Sequence, residues 1–159
     1  MKLYTLGVYG TSEREFFRKL RDNQIDTFCD IRQRRAVRGA MYAFVNAVKL
    51  QEKLAALKIN YEYVQALAAT QAIRDIQKRI DAKTGTGQRQ RERVSPEFIA
   101  DYTKVVLGPF DFDQLVKRLH SLRAKRVVLF CVEKSPAACH RSLVAERLHD
   151  RYGYPVIHL

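Results

Sequence analysis

The run Val127-Val128-Leu129-Phe130-Cys131-Val132 constrains this chain more than any other stretch. It is continuously apolar, rich in β-branched residues and bounded by Arg126 on one side and Glu133-Lys134 on the other, which is the signature of a buried strand. Ser135-Pro136 then reads as an N-cap and first helical residue, and Ser142 to His149 continues with helical periodicity. The unit is a strand, a tight turn and a helix. It sets Cys131 and Glu133 at the carboxyl end of the strand and Cys139, His140 and Arg141 in the first turn or two of the helix.

The rest of the chain repeats that alternation. Leu3 to Val8 reads as a strand, and Thr11 or Ser12 caps a helix to about Asp22, with Glu13 and Glu15 where the helix dipole favours acids. Ile25 to Ile31 is a second strand that delivers Asp30 and Arg32 at its end, followed by a basic loop from Gln33 to Tyr42. Phe44 to Leu57 reads as a helix, Ile59 to Val64 as a short strand, and a further helix begins at Thr70 and runs to Ile80. Residues 82–94 carry alternating arginines and no core pattern, which predicts a mobile basic loop. Ser95-Pro96-Glu97 opens a helix through Val106, Gly108-Pro109 ends it, Asp111 or Asp113 opens the next, and Gly153 to Leu159 closes the chain as a last strand.

Strands alternating with helices predict an α/β fold: one domain over residues 1–159, with a mainly parallel sheet of about five strands and helices on both faces. If the first strand is central, the second strand and the Cys131 strand flank it, and the switch point lies between the first and fourth strands. Ligands bind such sheets outside the carboxyl ends of the strands. The loops expected there carry Gly7 to Ser12, Asp30 to Arg38 and Cys131 to Arg141. Their convergence is the principal functional argument.

Composition limits the partners. Twenty-nine basic against 17 acidic residues give a net charge of +12, and Arg32, Arg34, Arg35 and Arg38 cluster without an intervening acid. That balance favours anionic partners, nucleic acid among them. Nowhere do about 18 apolar residues run together, and the opening lacks a charged leader followed by an apolar segment, so no membrane partner and a cytoplasmic location are expected. Three cysteines without an export signal read as reduced thiols.

The thiols admit more than one reading. Cys131 ends an apolar strand, where a cysteine serves as a small buried hydrophobe. Cys139, near a helix N-terminus that would favour its thiolate, is the better nucleophile candidate, although the spacing to Leu143 also suits a packed thiol. His140 can exchange protons near neutral pH. Glu133 and Asp30 suit a base, an arginine clamp or a structural ion pair. Arg32 and Arg141 are placed for bidentate anion binding, with Ser12, Arg35 and Arg38 as further contacts. Six positions after Cys131 stands Ala137, and six after Cys139 stands Ala145, so the Cys-x5-Arg loop of tyrosine phosphatases is excluded. Cys29, Cys131, Cys139 and His140 could meet on one ion, but their spacing is irregular, and the sequence alone assigns no metal ligand. No cofactor fingerprint is recognisable; the glycines after the first strand do not match a dinucleotide-binding loop. Tyr42, Tyr61 and Tyr63 near the arginines could stack bases.

Together, Thr5-Leu6-Gly7 with Ser12, Asp30-Ile31-Arg32, Ser95-Pro96-Glu97-Phe98 and Phe130-Cys131-x-Glu133-Lys134-x-Pro136-x-x-Cys139-His140-Arg141-Ser142 resemble the domain-of-unknown-function 488 family over nearly the whole chain. The resemblance implies a compact α/β domain whose motif residues gather at one site, and carries no reaction with it. Two departures, Gln33-Arg34-Arg35-Ala36 where a proline is common and Ala68-Ala69 where Leu-Gly is common, imply a subgroup with its own substrate contacts. The resulting expectation is an enzyme acting on a phosphate-bearing or other anionic substrate, nucleic acid or nucleotide included. The alternatives are a noncatalytic nucleic-acid-binding module and a thiol-based redox or metal sensor.

Overall fold

The computed structural model describes all residues, Met1–Leu159. Five strands, β1 (Lys2–Leu6), β2 (Thr27–Asp30), β3 (Asn60–Tyr63), β4 (Arg126–Phe130) and β5 (Val156–His158), form one parallel sheet in the order β3-β2-β4-β1-β5. Six α-helices connect them: α1 (Glu13–Asp22), α2 (Ala47–Ala56), α3 (Gln71–Thr84), α4 (Pro96–Tyr102), α5 (Phe112–Ser121) and α6 (His140–Tyr152). The starts of α1, α3, α4 and α5 are fixed by side-chain caps from Ser12, Thr70, Ser95 and Asp111. The α/β expectation is met, with one core on each face of the sheet. Phe16, Phe28, Phe44, Leu50, Leu54 and Phe130 pack beneath α1 and α2, while Leu3, Cys29, Tyr102, Leu129, Val144 and Leu148 pack beneath α3 to α6.

The central strand is β4, not β1. β4 pairs β2 and β1, and β1 and β2 are not neighbours. A strand covered on both faces along its whole length needs an unbroken apolar sequence, and Val127 to Phe130 supplies one that is fully buried. The switch point is nevertheless at β1 and β4. From β1 the chain crosses through α1 to β2 on one side; from β4 it crosses through α6 to β5 on the other. Their exit loops meet at the carboxyl edge, the side on which open α/β sheets bind their ligands.

Two predicted helix starts shift. Ser135 does not cap, because its hydroxyl donates to the Glu92 carbonyl at 3.0 Å; Pro136–Ala138 makes a short 3-10 turn, and α6 starts at His140 with Cys139 as an extended N-cap (φ −143°, ψ 145°). Ala43–Val45 is likewise a separate 3-10 turn before α2, since Asn46 is extended and its side chain accepts from the Val37 N–H at 2.6 Å. Residues 82–84, expected in the basic loop, complete α3, which stops at Gly85 in the left-handed region (φ 65°). No helix is long and apolar enough to cross a membrane.

Candidate functional site

Backbone hydrogen bonds lock the switch-point loops together. The Cys131 N–H donates to the Leu6 carbonyl at 3.2 Å, and the Val132 carbonyl accepts from both Val8 and Tyr9, at 3.1 and 3.0 Å. The approach is so close that a Cβ on Gly7 would collide with the Glu133 carbonyl, which explains glycine there. The Arg141 guanidinium completes the junction from the first turn of α6. Wholly buried, it donates to the Glu133 carbonyl (2.7 Å) and the Lys134 carbonyl (3.0 Å), and its Nε has no partner. Its partners are carbonyls rather than carboxylates.

Side-chain alternation past the end of β4 turns Phe130 toward the α1–α2 core and Cys131 toward the α6 core, where Cys139 meets it. The thiols of Cys131 and Cys139 and one ring nitrogen of His140 all lie within 4.8 Å of one another. His140 Nδ1 is 3.9 Å from Cys139 Sγ, and Nε2 is 3.1 Å from the Ile31 carbonyl. A carbonyl can only accept, so Nε2 carries a proton and Nδ1 faces the thiol. The Tyr102 ring covers the imidazole at 5.3 Å between centroids.

These neighbours set the ionisation of the pair. Burial alone would raise the Cys139 thiol, but the Cys131 thiol donating to it, the His140 charge and the nearby Arg141 together bring it well below its ordinary value. Cys131 moves the other way, held as the thiol by its hydrogen bond to Cys139 and by burial. For His140 burial works against the charged form, and the Cys139 thiolate and the Ile31 carbonyl reverse that, so its pKa is raised. All three shifts run in one direction, favouring the Cys139 thiolate, the His140 imidazolium and the Cys131 thiol.

Glu133 is buried and aimed elsewhere. Its Oε1 accepts from Gln88 Nε2 at 2.7 Å and lies 3.5 Å from Arg91 Nη2; burial raises its pKa, and the Gln88 bond opposes the rise. Arg91 also pairs with Asp81 (2.7 Å) and donates to the Ala138 carbonyl (3.2 Å), while Arg89 lies over the Tyr9 ring, 4.9 Å from its centroid. Residues 88–91 thus form a strap from α3 to Glu133 and Ala138 in the turn between β4 and α6. Gln88, Arg91 and Tyr9 were not singled out from the sequence. Spacing offers no sign of them, because their partners, Glu133 for Gln88 and Arg91 and Arg89 for Tyr9, lie in other segments of the chain.

Asp30 and Arg32 form a second buried unit, on the α1–α2 side. Arg32 Nε and Nη2 grip the two Asp30 oxygens at 2.8 and 2.7 Å, Nη2 also donates to the Val45 carbonyl (2.9 Å), and the Tyr61 hydroxyl donates to Asp30 (2.9 Å). The guanidinium lies 4.7 Å from the Phe130 ring centroid, and only its Nη1 has no partner. The Ile31 peptide between them links this pair to His140. Arg35 stacks on Tyr63 at 4.3 Å, Arg38 is exposed, and Ser12 is exposed with its hydroxyl bonded to Glu15 in the α1 cap. Cys29 is not part of the thiol cluster. It is enclosed in β2, where burial pushes its thiol up to about 12.

Fold and site together define a class: a parallel α/β domain whose switch-point loops carry a dithiol, an imidazole and a buried arginine. Within that class, the chain belongs to the family described as Domain of unknown function DUF488, which matches residues 12–148. No curated protein and no solved structure matches the chain.

Proposed function

We propose that this protein is an enzyme acting on a phosphate-bearing or other anionic substrate at the carboxyl edge of its sheet, with Cys139 as nucleophile. The observation that carries the reading is the position of Cys139 as N-cap of a 13-residue helix, with His140 and Arg141 following it and the Cys131 thiol beside it. A helix N-terminus and adjacent cations are the surroundings that make a thiol reactive. In this scheme Cys139 attacks as the thiolate, Cys131 and His140 hold and return protons, and Glu133 fixes the strap. The forks of Arg32 and Arg141 are spent on Asp30 and on loop carbonyls, so both serve as positioning residues. The substrate's charge falls to the more accessible Arg35, Arg38 and Lys134, and access to Cys139 runs past residues 88–91. Nucleic acid or a nucleotide fits these demands.

Brief treatment of the folded protein with iodoacetamide, followed by peptide mass mapping, tests this. Cys139 should be carboxamidomethylated well before Cys29, pyrophosphate should slow the reaction, and Cys139→Ala should lose turnover of any substrate found while keeping its fold. A Cys139 that reacts no faster than Cys29 would defeat the proposal. The stacking of Arg89 on Tyr9 and of Arg35 on Tyr63 favours a second reading, a nucleic-acid-binding module. Under that reading, binding is salt-sensitive and unchanged in Glu133→Gln and Cys139→Ala.

A further inference from the structure

We infer that Cys131, Cys139 and His140 form a binding site for a thiophilic metal ion of the zinc class. This inference stands independently of the nucleophile reading, since it concerns which ion the three donors accept and not which bond they break.

Two thiols and an imidazole nitrogen are the donor set that zinc prefers, and sulfur rules out magnesium and calcium, which take oxygen ligands. In a tetrahedral zinc site, bonds of about 2.3 Å to sulfur and about 2.0–2.1 Å to nitrogen place two sulfurs about 3.8 Å apart and a sulfur and nitrogen about 3.6 Å apart. The Cys139–His140 separation is 3.9 Å, and no two of the three donors are more than 4.8 Å apart, so small side-chain rotations close the set. These form the only group of three or more His, Cys, Asp or Glu donors in the molecule close enough to share an ion.

The surroundings fit as well. His140 Nε2 is bonded to the Ile31 carbonyl, the outer contact that fixes a ligating histidine's orientation and leaves Nδ1 to the metal. Cys131 is held in the β1–β4 ladder and Cys139 and His140 at the start of α6, so the donors sit on rigid elements. Two thiolates neutralise a dication, and the buried centre then adds no net charge beside Arg141. Binding displaces to solvent the protons that Cys131, Cys139 and His140 Nδ1 carry, and leaves the fourth tetrahedral position for water or an exogenous donor. An ion there would cap Cys139, so the loaded protein is the form in which that thiol cannot act as a nucleophile.

The test uses the reduced, chelator-treated full-length chain. Titration with Zn2+ against a chromophoric chelator should give one ion per chain, and Co2+ should produce a thiolate-to-metal charge-transfer band. Cys131→Ser, Cys139→Ser and His140→Gln should each weaken binding at least roughly tenfold, and Cys29→Ser should not. Zinc should also protect Cys139 from iodoacetamide. Absence of one-to-one binding, a Co2+ spectrum without thiolate absorption, or retention of affinity in Cys139→Ser would overturn the inference. The Co2+ spectrum of the unmutated protein decides the matter even where a variant fails to fold.

Discussion

At the scale of single residues, two buried arginines do different work. Arg141 spends its hydrogen bonds on the Glu133 and Lys134 carbonyls, so it ties the exit of β4 to the start of α6, and its charge helps to lower the Cys139 thiol. Arg32 is neutralised in a closed fork with Asp30, on a site that is 3% and 0% exposed. Breaking such a pair from one side strands a charge away from water, whereas removing both partners does not. Asp30→Ala should therefore destabilise the fold by about 3–5 kcal/mol in denaturant unfolding, and Arg32→Met in the same chain should recover much of the loss. Arg32→Lys should behave as a disruptive change, because one ammonium cannot bond both carboxylate oxygens and the Val45 carbonyl in a plane. Equal stability of Asp30→Ala and of the double variant would show that the pair is not the source of the cost.

At the scale of elements, the strap at residues 88–91 depends on α3 for its anchor. Gln77 bonds both Asp81 (2.7 Å) and the Ser95 N–H (2.8 Å), Asp81 holds Arg91, and Arg91 with Gln88 reaches Glu133. The helix end and the strap are one hydrogen-bonded unit, joined to the turn that carries Ala138 next to Cys139. Asp81→Ala and Arg91→Ala should both speed tryptic cleavage after Arg89 and Arg93 and both speed alkylation of Cys139, with smaller effects on the melting temperature; cleavage at the wild-type rate in both would refute this arrangement. None of this hydrogen-bond relay from Gln77 to Glu133 was legible from sequence. The helix starts at Ser12, Thr70, Ser95 and Asp111 could be read because a cap is a local event within three residues. Ser135 looked equally good and failed because its hydroxyl is taken by Glu92, a distant residue in sequence. The gathering of Cys131, Glu133, Cys139, His140 and Arg141 could be read because one strand-turn-helix carries them all. That Asp30 and Arg32 face the other side of the sheet could not, because it depends on strand order, and pairing is non-local.

At the scale of the whole molecule, the two-sided burial that makes a good core also fixes how stability responds to pH. The Cys29 thiol is enclosed in β2 beneath the α3–α6 layer, and burial, aided by the nearby Glu62 and Asp30 charges, raises its pKa from 9.0 to about 12. The unfolded chain gives up that proton first. The stabilising contribution is therefore complete below pH 9, declines above it, and is gone once pH exceeds the folded value of about 12. Each unit of separation corresponds to about 1.4 kcal/mol, so between pH 9 and 11 the wild-type protein should lose on the order of 2–3 kcal/mol that a Cys29→Ala variant does not lose. The variant starts from a lower stability because it leaves a small void, so the informative quantity is the slope with pH, in which every titration common to the two proteins cancels. Parallel slopes from pH 9 to 11 would mean that water reaches Cys29 in the folded state, and the β2–β4 pairing that encloses it would then be looser than the geometry requires.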